Sequence, residues 1–366
     1  MSDRPVLLAA GGTGGHLFPA EALAHALSAR GIPVELVTDE RALRYGGTFP
    51  ARAMHSISSA TPRGVSTLAK ASAVARLAKG TFESFALLRR LKPNAVVGFG
   101  CYPTVPPLVA ASFLRIPTIL HEANGVMGRA NRFLSGRVEA IAAGLPNLRA
   151  PAPLQSKLVV TGNPVRPNVL AAAAQPYPGF DDGRLRLLVT GGSQGARVMA
   201  DIAPAAIALL PADLRARIDI VQQTRDEDIA RVRSVYEKAG VHAEIAPFFS
   251  DLPARVAATH FVVARSGAST VSELAVIGRP ALLVPLPHSL DQDQAANAAF
   301  LEQAGAAETV RQSDFTAAFL KDKLVEFFAA PERLAAQATA AKRAGVADAA
   351  ERLADLVLTV AAQKNV

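Results

Sequence analysis

Two glycine-rich turns are the residues best suited to chemistry. The first, Gly11-Gly12-Thr13-Gly14-Gly15-His16, follows an apolar run over residues 6–10 and precedes a helical segment over 20–29. Glycines there let the backbone approach a ligand and aim amide N–H groups at an anion, which a helix N-terminus stabilises. The second, Gly191-Gly192-Ser193-Gln194-Gly195, follows another apolar run and adds a hydroxyl to the same design. His16 closes the first turn. An imidazole with an ordinary pKa near ~6.5 suits proton abstraction at neutral pH, though His16 can equally cap the helix or position an acceptor's diphosphate.

Other chemistries share these residues. No Gly-Lys-Ser/Thr follows either turn, so the Walker phosphate loop is excluded. Gly12 and Gly14 fit a dinucleotide fingerprint, and Asp39 ends the second apolar run where a ribose-binding acid belongs, but Leu17 takes the place of the third glycine. The second turn also satisfies Gly-x-Ser-x-Gly, the nucleophile elbow of hydrolases, with His260 and His288 downstream as bases. That elbow belongs inside one continuous sheet, whereas this turn opens what reads as a new domain. Asp226-Glu227-Asp228 and Asp291-Gln292-Asp293 both match Asp-x-Asp, a signature of metal-dependent transferases. The first precedes an amphipathic segment and is explained by acids at a helix start. In the second, amides and Arg can neutralise phosphate without a cation. With one cysteine and no His-Glu-x-x-His, zinc spacing is absent. No metal and no cofactor are expected.

The elements that must hold these turns are those of a parallel α/β fold. Short apolar runs at 6–10, 34–38, 95–98, 118–121 and 140–142 alternate with helical segments, and so do runs at 185–190, 218–222, 244–248, 261–264 and 281–284. A chain of 366 residues suits two domains of about 150–200 residues. A Pro- and Gly-rich stretch over 151–183 reads as the linker region. The division predicted is 1–164, 165–345 and a closing helical segment over 346–366: two Rossmann-like α/β domains facing across a cleft.

Charge is uneven. Residues 1–165 carry 18 Lys and Arg against 8 Asp and Glu, and the remainder 21 against 23, so an anionic partner is expected for the first half. Few aromatics and no reading motif argue against nucleic acid. Cys101 stands alone, which excludes an internal disulfide and fits a reducing compartment. No apolar run reaches the ~18 residues of a membrane span, and the first apolar run is too short for a signal peptide. A cytosolic chain is expected.

Six segments in order resemble one family nearly end to end: Gly11–His16, His121-Glu122-Ala123-Asn124-Gly125, Gly162-Asn163-Pro164-Val165-Arg166, Gly191–Gly195, Arg265-Ser266-Gly267-Ala268-Ser269-Thr270-Val271-Ser272-Glu273, and residues 285–297. That family is MurG, the inverting peptidoglycan N-acetylglucosaminyltransferases that convert lipid I to lipid II and so serve cell-wall synthesis, cell shape and division. The resemblance implies the GT-B fold, with the acceptor on the N-terminal domain and UDP-N-acetylglucosamine mainly on the C-terminal one. It implies that Thr13, Gly14 and Gly15 line the donor–acceptor cleft and that Asn124 contacts the donor sugar. Arg166 and Ser193 would meet the nucleotide or its diphosphate, for which a guanidinium's fork is suited; a surface ion pair remains the plain alternative for Arg166. Ala268, Ser269, Thr270, Val271 and Ser272 read as a phosphate-binding helix start, unless the hydroxyls merely cap it. Glu273 would take the ribose hydroxyls, the backbone of Phe249 the uracil, and Gln294 and Asn297 the donor sugar. His16 is the leading base for the acceptor's C4 hydroxyl, with His121 and Glu122 in reserve.

Some positions depart from the family pattern. Ala123 replaces the usual Gln, Gly100-Cys101-Tyr102 replaces Gly-Gly-Tyr, and Thr104 replaces Ser, which touches the acceptor contacts of Tyr102 and Thr104. Residues 63–92 mix Arg63, Lys70, Arg76, Lys79, Arg89, Arg90 and Lys92 with Leu68, Val74, Leu77, Phe82 and Leu87. Such a segment suits an anionic membrane surface at the cytoplasmic face of the inner membrane, or an ordinary helix with its apolar face in the core. A transferase of the same fold with another acceptor, and a nucleotide-sugar sensor without catalysis, remain as alternatives.

Overall fold

The computed structural model describes residues 3–11, 14–39, 49–60, 67–192, 195–287 and 292–363. The chain divides into two compact units, Met1–Arg166 with Ala347–Val366, and Pro167–Val346.

In unit 1 the strands are β1 (Val6–Ala9), β2 (Val34–Thr38), β3 (Ala53–Ser56), β4 (Ala95–Gly98), β5 (Thr118–Glu122), β6 (Ala140–Ala143) and β7 (Leu158–Val160). Among the described residues they form one wholly parallel sheet in the order β3-β2-β1-β4-β5-β6-β7. The helices are α1 (Gly14–Ala29), α2 (Thr67–Leu91), α3 (Val105–Phe113), α4 (Arg129–Leu134) and the last helix of the chain, Ala349–Gln363. Strand alternation explains why β1 is apolar throughout. Val6 and Leu8 enter the core under α1, whereas Leu7 and Ala9 enter the core under α2 and α3. The last helix returns to unit 1, where Leu353, Val357 and Val360 recur at helical spacing on the α1 side. Each aliphatic side chain so buried contributes about 1.5–3 kcal/mol.

In unit 2 the strands are β8 (Leu185–Thr190), β9 (Ile218–Gln223), β10 (Ala243–Ala246), β11 (Phe261–Ala264), β12 (Ala281–Leu283) and β13 (Ala307–Thr309), again all parallel, in the order β10-β9-β8-β11-β12-β13. The helices are α5 (Pro167–Ala173), α6 (Arg197–Ala208), α7 (Ala212–Arg215), α8 (Ile229–Lys238), α9 (Leu252–Ala257), α10 (Ala268–Ile277), α11 (Asp293–Gln303), α12 (Ala317–Ala329) and α13 (Pro331–Ala344). The last helix of the chain is α14. One face of the sheet packs Leu185, Leu187 and Val189 against Met199, Ala203 and Ile207 of α6 and Leu320, Leu324 and Phe327 of α12. Near the other helices Arg279 is 1% exposed, and donates to the carbonyls of Ala257, Ile277, Gly278 and Pro176. A buried guanidinium is tolerable only when its donors are spent in this way.

Strand order reverses between β1 and β4 in unit 1, and between β8 and β11 in unit 2. In open parallel sheets the carboxyl ends at such a switch point are where ligands bind. Both glycine turns sit there. The first helix begins at Gly14 rather than near residue 20, and Gly14 packs under Phe18, whose Cζ would lie 2.9 Å from a Cβ placed on it. His16 is therefore in the first turn of α1.

Candidate active site

In unit 1 the site is assembled from the ends of β1, β4 and β5. Gly11 must be small, since a Cβ there would come within 3.0 Å of Pro103 and 3.1 Å of Asp39 Oδ1. After β4 the chain turns through Gly100 at φ 86°, and a Cβ on it would stand 3.4 Å from both Nδ1 and Cε1 of His16. The His16 ring is half-buried, and its Nδ1 lies 2.7 Å from the Phe99 carbonyl. A carbonyl only accepts, so Nδ1 carries the hydrogen and the neutral ring keeps its lone pair on Nε2.

Burial pulls the His16 imidazole down. A hydrogen bond with the Cys101 thiol, the Phe99 carbonyl and the Glu122 charge together outweigh it, so His16 holds its proton above the ordinary imidazole range. This occurs although a helix start itself opposes positive charge. The thiol is displaced oppositely: burial alone would raise it, but the His16 bond and charge leave it below the usual range. His121, 1% exposed with its ring 5.3 Å from that of Phe99, is pushed by burial to about 4 and stays neutral.

Glu122 organises the loop that follows β5. Its Oε1 accepts from the main-chain N–H and side-chain amide of Asn124, both at 3.1 Å. Its Oε2 accepts from Gly128 N–H at 2.9 Å and from Asn131 Nδ2 at 2.8 Å. The carboxylate is 3% exposed; two of its four bonds hold Asn124, itself half-buried, and the other two tie it to Gly128 and Asn131. Tyr102 is half-buried on the 3-10 turn after β4, while Thr104 is fully buried and donates from Oγ1 to the Cys101 carbonyl at 2.8 Å. Arg166, the last residue of unit 1, lays its guanidinium 3.7 Å from the centroid of the Phe18 ring. Nearby Glu21 is raised by burial, against the opposing pull of Arg166.

In unit 2, Gly191 is required because a Cβ there would lie 2.1 Å from Ala196 N. Gly192 and Gly195 have φ of 77° and 64°, and Gly195 N–H donates to the Gly192 carbonyl at 3.0 Å. Across the switch point, α10 starts after Gly267 in extended conformation with no side-chain cap. Ser269 and Thr270 therefore do not spend their hydroxyls as caps. Ser269 Oγ is buried without a hydrogen-bond partner among the described residues. Val271 is wholly buried and Glu273 is half-buried. The start of α11 is tied to the same place. Asn297 Nδ2 donates to the Ser266 carbonyl at 3.1 Å, and Ser266 Oγ donates to the Gln294 carbonyl at 2.8 Å. Gln294 Oε1 accepts from Leu286 N–H at 2.9 Å. Ala268 through Glu273 are thus brought together with Gln294 and Asn297. Phe249 lies in the loop after β10, its ring buried 4.3 Å beneath the Arg255 guanidinium.

Thr13 and Ser193 lie outside the described residues, as do Gly12, Gln194, His288 and Asp291. His260 is committed elsewhere: Nδ1 accepts from Arg186 N–H at 2.9 Å, Nε2 donates to the Gly179 carbonyl at 3.0 Å, and Phe180 stacks on the ring at 3.8 Å. It is a core histidine, unfit to serve a nucleophile. Asp228 stands before α8 and pairs with Arg231 at 2.6 Å, the ordinary work of an acid at a helix start. The four-bond role of Glu122, the Asn131 contact and the Phe18–Arg166 stack were not evident in the sequence. Only the proximity of Glu122 and Asn124 offered a signal.

Two parallel doubly wound units, each with polar groups at its switch point, define the GT-B class of architecture. Residues 6–143 match the glycosyltransferase family 28 N-terminal domain, and residues 186–353 match the glycosyltransferase family 28 C-terminal domain. The chain is 60% identical over 359 residues to the UDP-N-acetylglucosamine--N-acetylmuramyl-(pentapeptide) pyrophosphoryl-undecaprenol N-acetylglucosamine transferase of Methylobacterium sp. (strain 4-46), covering 97% of this chain and 96% of that one. It is 58% identical to the enzyme of the same name from Rhodopseudomonas palustris (strain BisA53), covering 97% and 96%. Among solved structures it is similar to Acinetobacter baumannii MurG, with a TM-score of 0.79 and 28% identity over 97% of this chain and 99% of that one. The chain belongs to the MurG family of glycosyltransferases.

Proposed function

We propose that this chain transfers N-acetylglucosamine from UDP-N-acetylglucosamine to the C4 hydroxyl of the muramoyl-pentapeptide on undecaprenyl diphosphate, converting lipid I to lipid II. The observation that carries the reading is the start of α10. An uncapped helix N-terminus and the buried, unpartnered Ser269 Oγ converge beside Glu273, a donor set for a diphosphate next to an acid for ribose hydroxyls.

The acceptor oxygen attacks the anomeric carbon as its proton passes to Nε2 of His16. The bond from that carbon to the diphosphate oxygen breaks, and UDP leaves from the opposite face. One displacement on an α-linked donor gives a β-linkage. A positioned base contributes about 10²–10⁴-fold, and each preorganised donor aimed at developing charge about 10²–10³-fold. Ala268 to Ser272 and Ser193 hold the diphosphate of the donor, Glu273 its ribose, and the Phe249 main chain its uracil. Gln294 and Asn124 orient the sugar, with Asn297 holding the loop. Thr13, Gly14, Gly15 and Tyr102 receive the acceptor, Thr104 supports the Tyr102 turn, and Arg166 on its Phe18 platform serves phosphate charge. The reaction needs no metal in this reading.

Among the described residues no helix is long and apolar enough to cross a membrane. Phe82 and Val74 of α2 and Phe113 of α3 are 76%, 62% and 72% exposed, amid Arg76, Lys79, Arg89 and Arg90. Exposed apolar side chains among cations on α2 and α3 suit peripheral attachment to the anionic cytoplasmic surface of the inner membrane. The test is to mix the protein with UDP-N-acetylglucosamine and a lipid I analogue, with and without excess chelator. UDP release with a new β-1,4 linkage in both mixtures is expected. Donor binding without turnover, or turnover only with another acceptor, would overturn the proposal.

A further inference from the structure

Strand β10 ends at Ala246, and Pro247 after it has no N–H with which to continue the ladder. Main-chain pairing with the end of β9 reaches Thr224 N–H, which donates to the Ala246 carbonyl at 3.0 Å. The Gln223 side chain extends the tie by one residue, its Nε2 donating to the Pro247 carbonyl at 3.2 Å. A carbonyl only accepts, so the Gln223 amide has one orientation, Nε2 toward Pro247 and Oε1 toward Thr190. Thr190 Oγ1 lies 2.6 Å from that Oε1 and spends its hydrogen there. A lone pair is left for Gly192 N–H, which donates to the hydroxyl at 3.3 Å. The result is a one-directional relay from Gly192 N–H, through hydroxyl and amide, to the Pro247 carbonyl. Bonds in such a chain polarise one another in the same sense. Thr190 is 4% exposed and Gln223 9%, so a member removed leaves its neighbours buried and unpaired.

The relay ends on two segments of the donor site. Gly192, left-handed at φ 77°, belongs to the glycine turn after β8, and its carbonyl accepts from Gly195 N–H at 3.0 Å. Just past β9, Arg225 braces the far side of that turn, since a Cβ on Gly195 would lie 2.9 Å from its Cγ. Pro247 opens the loop that carries Phe249. We propose that Thr190 and Gln223 are positioning residues for the donor: their relay holds the glycine turn and the Phe249 loop at one fixed spacing, so that diphosphate and uracil are gripped together. This rests on the reading of those two segments as diphosphate and uracil sites. Gly192 N–H, spent on Thr190, is then an anchor of the turn and not a donor to phosphate.

The experiment measures Kd for UDP by calorimetry, and for uridine by competition against UDP. It compares the parent with Thr190→Val, Thr190→Ser, Gln223→Met and the pair Thr190→Val with Gln223→Met. Thr190→Val keeps the β-branched shape and deletes the hydroxyl, leaving Gln223 on Pro247. UDP affinity should fall about three- to tenfold, the worth of one neutral hydrogen bond, while uridine affinity stays within about twofold of the parent's. Thr190→Ser keeps the hydroxyl and recovers the affinity for UDP. Gln223→Met also releases Pro247, so both ligands weaken. The double variant adds no more than about twofold to that loss, because both substitutions break one chain. A role in folding alone would lower Tm and leave the ratio of UDP to uridine affinity at the parent's value, which would overturn the proposal. UDP affinity unchanged in Thr190→Val, or losses that simply add in the double variant, would overturn it as well. A parent that binds neither ligand would overturn the donor reading of unit 2 itself, and this proposal with it.

Discussion

The His16 imidazole is held by the main chain of Phe99, Nδ1 to carbonyl oxygen at 2.7 Å. That bond joins the first turn of α1 to the end of β4 across the switch point of unit 1, and it leaves Nε2 as the only basic nitrogen. It makes the pH dependence of transfer predictable. His16 must be unprotonated to act, and its surroundings hold the proton above the ordinary range. Activity should therefore fall as pH drops through a value above the usual ~6.5. A kcat profile between pH 5.5 and 9 checks this. A profile flat down to its acid end would remove His16 as the base.

Glu122→Ala strips the carboxylate that accepts from four donors in a buried loop. Leaving such donors unpaired costs about 1–3 kcal/mol each before relaxation, so unfolding free energy should drop by at least about 2 kcal/mol. The KM for UDP-N-acetylglucosamine should rise as Asn124 loses its support. Urea unfolding and initial rates read the two effects separately.

Ser269→Ala separates binding from stability. The hydroxyl has no partner within the described protein, so its removal should leave stability within about 0.5 kcal/mol of the parent. A hydrogen bond to a charged diphosphate is worth about 1.5–3 kcal/mol, so the Kd for UDP should weaken roughly tenfold or more. Calorimetric titration with UDP beside a thermal melt decides it. Unchanged UDP affinity would take the α10 start out of the donor site.

Much of this arrangement was legible in the sequence, and the gaps have physical causes. The central strands read correctly because they are buried on both faces, so β1, β4 and β11 are apolar runs and β8 is interrupted only by the half-buried Arg186 before Thr190 ends it. Three edge strands escaped notice. β3, β7 and β13 have only three or four residues each, and β3 and β7 are half exposed along their length. The glycine turns and the α10 start could be read because their chemistry is local. The bonds of Glu122, the His16–Phe99 bond and the Phe18–Arg166 stack join residues distant in sequence or on different elements, and no local pattern encodes them.

Membrane attachment should depend on the exposed aromatic pair. Phe82→Ser with Phe113→Ser should reduce flotation with anionic vesicles severalfold, leave turnover of a water-soluble acceptor analogue unaltered, and make the residual binding more sensitive to salt. Flotation indifferent to these changes and to lipid charge would place the membrane contact elsewhere.

The most direct test of the whole account is His16→Ala, assayed for UDP affinity and for single-turnover transfer. With the donor held by unit 2 and His16 acting only on the acceptor's proton, UDP affinity should stay within about twofold while transfer falls by about 10²–10⁴-fold. Transfer that survives the substitution, or UDP affinity lost along with it, would contradict the division of labour on which the proposal stands.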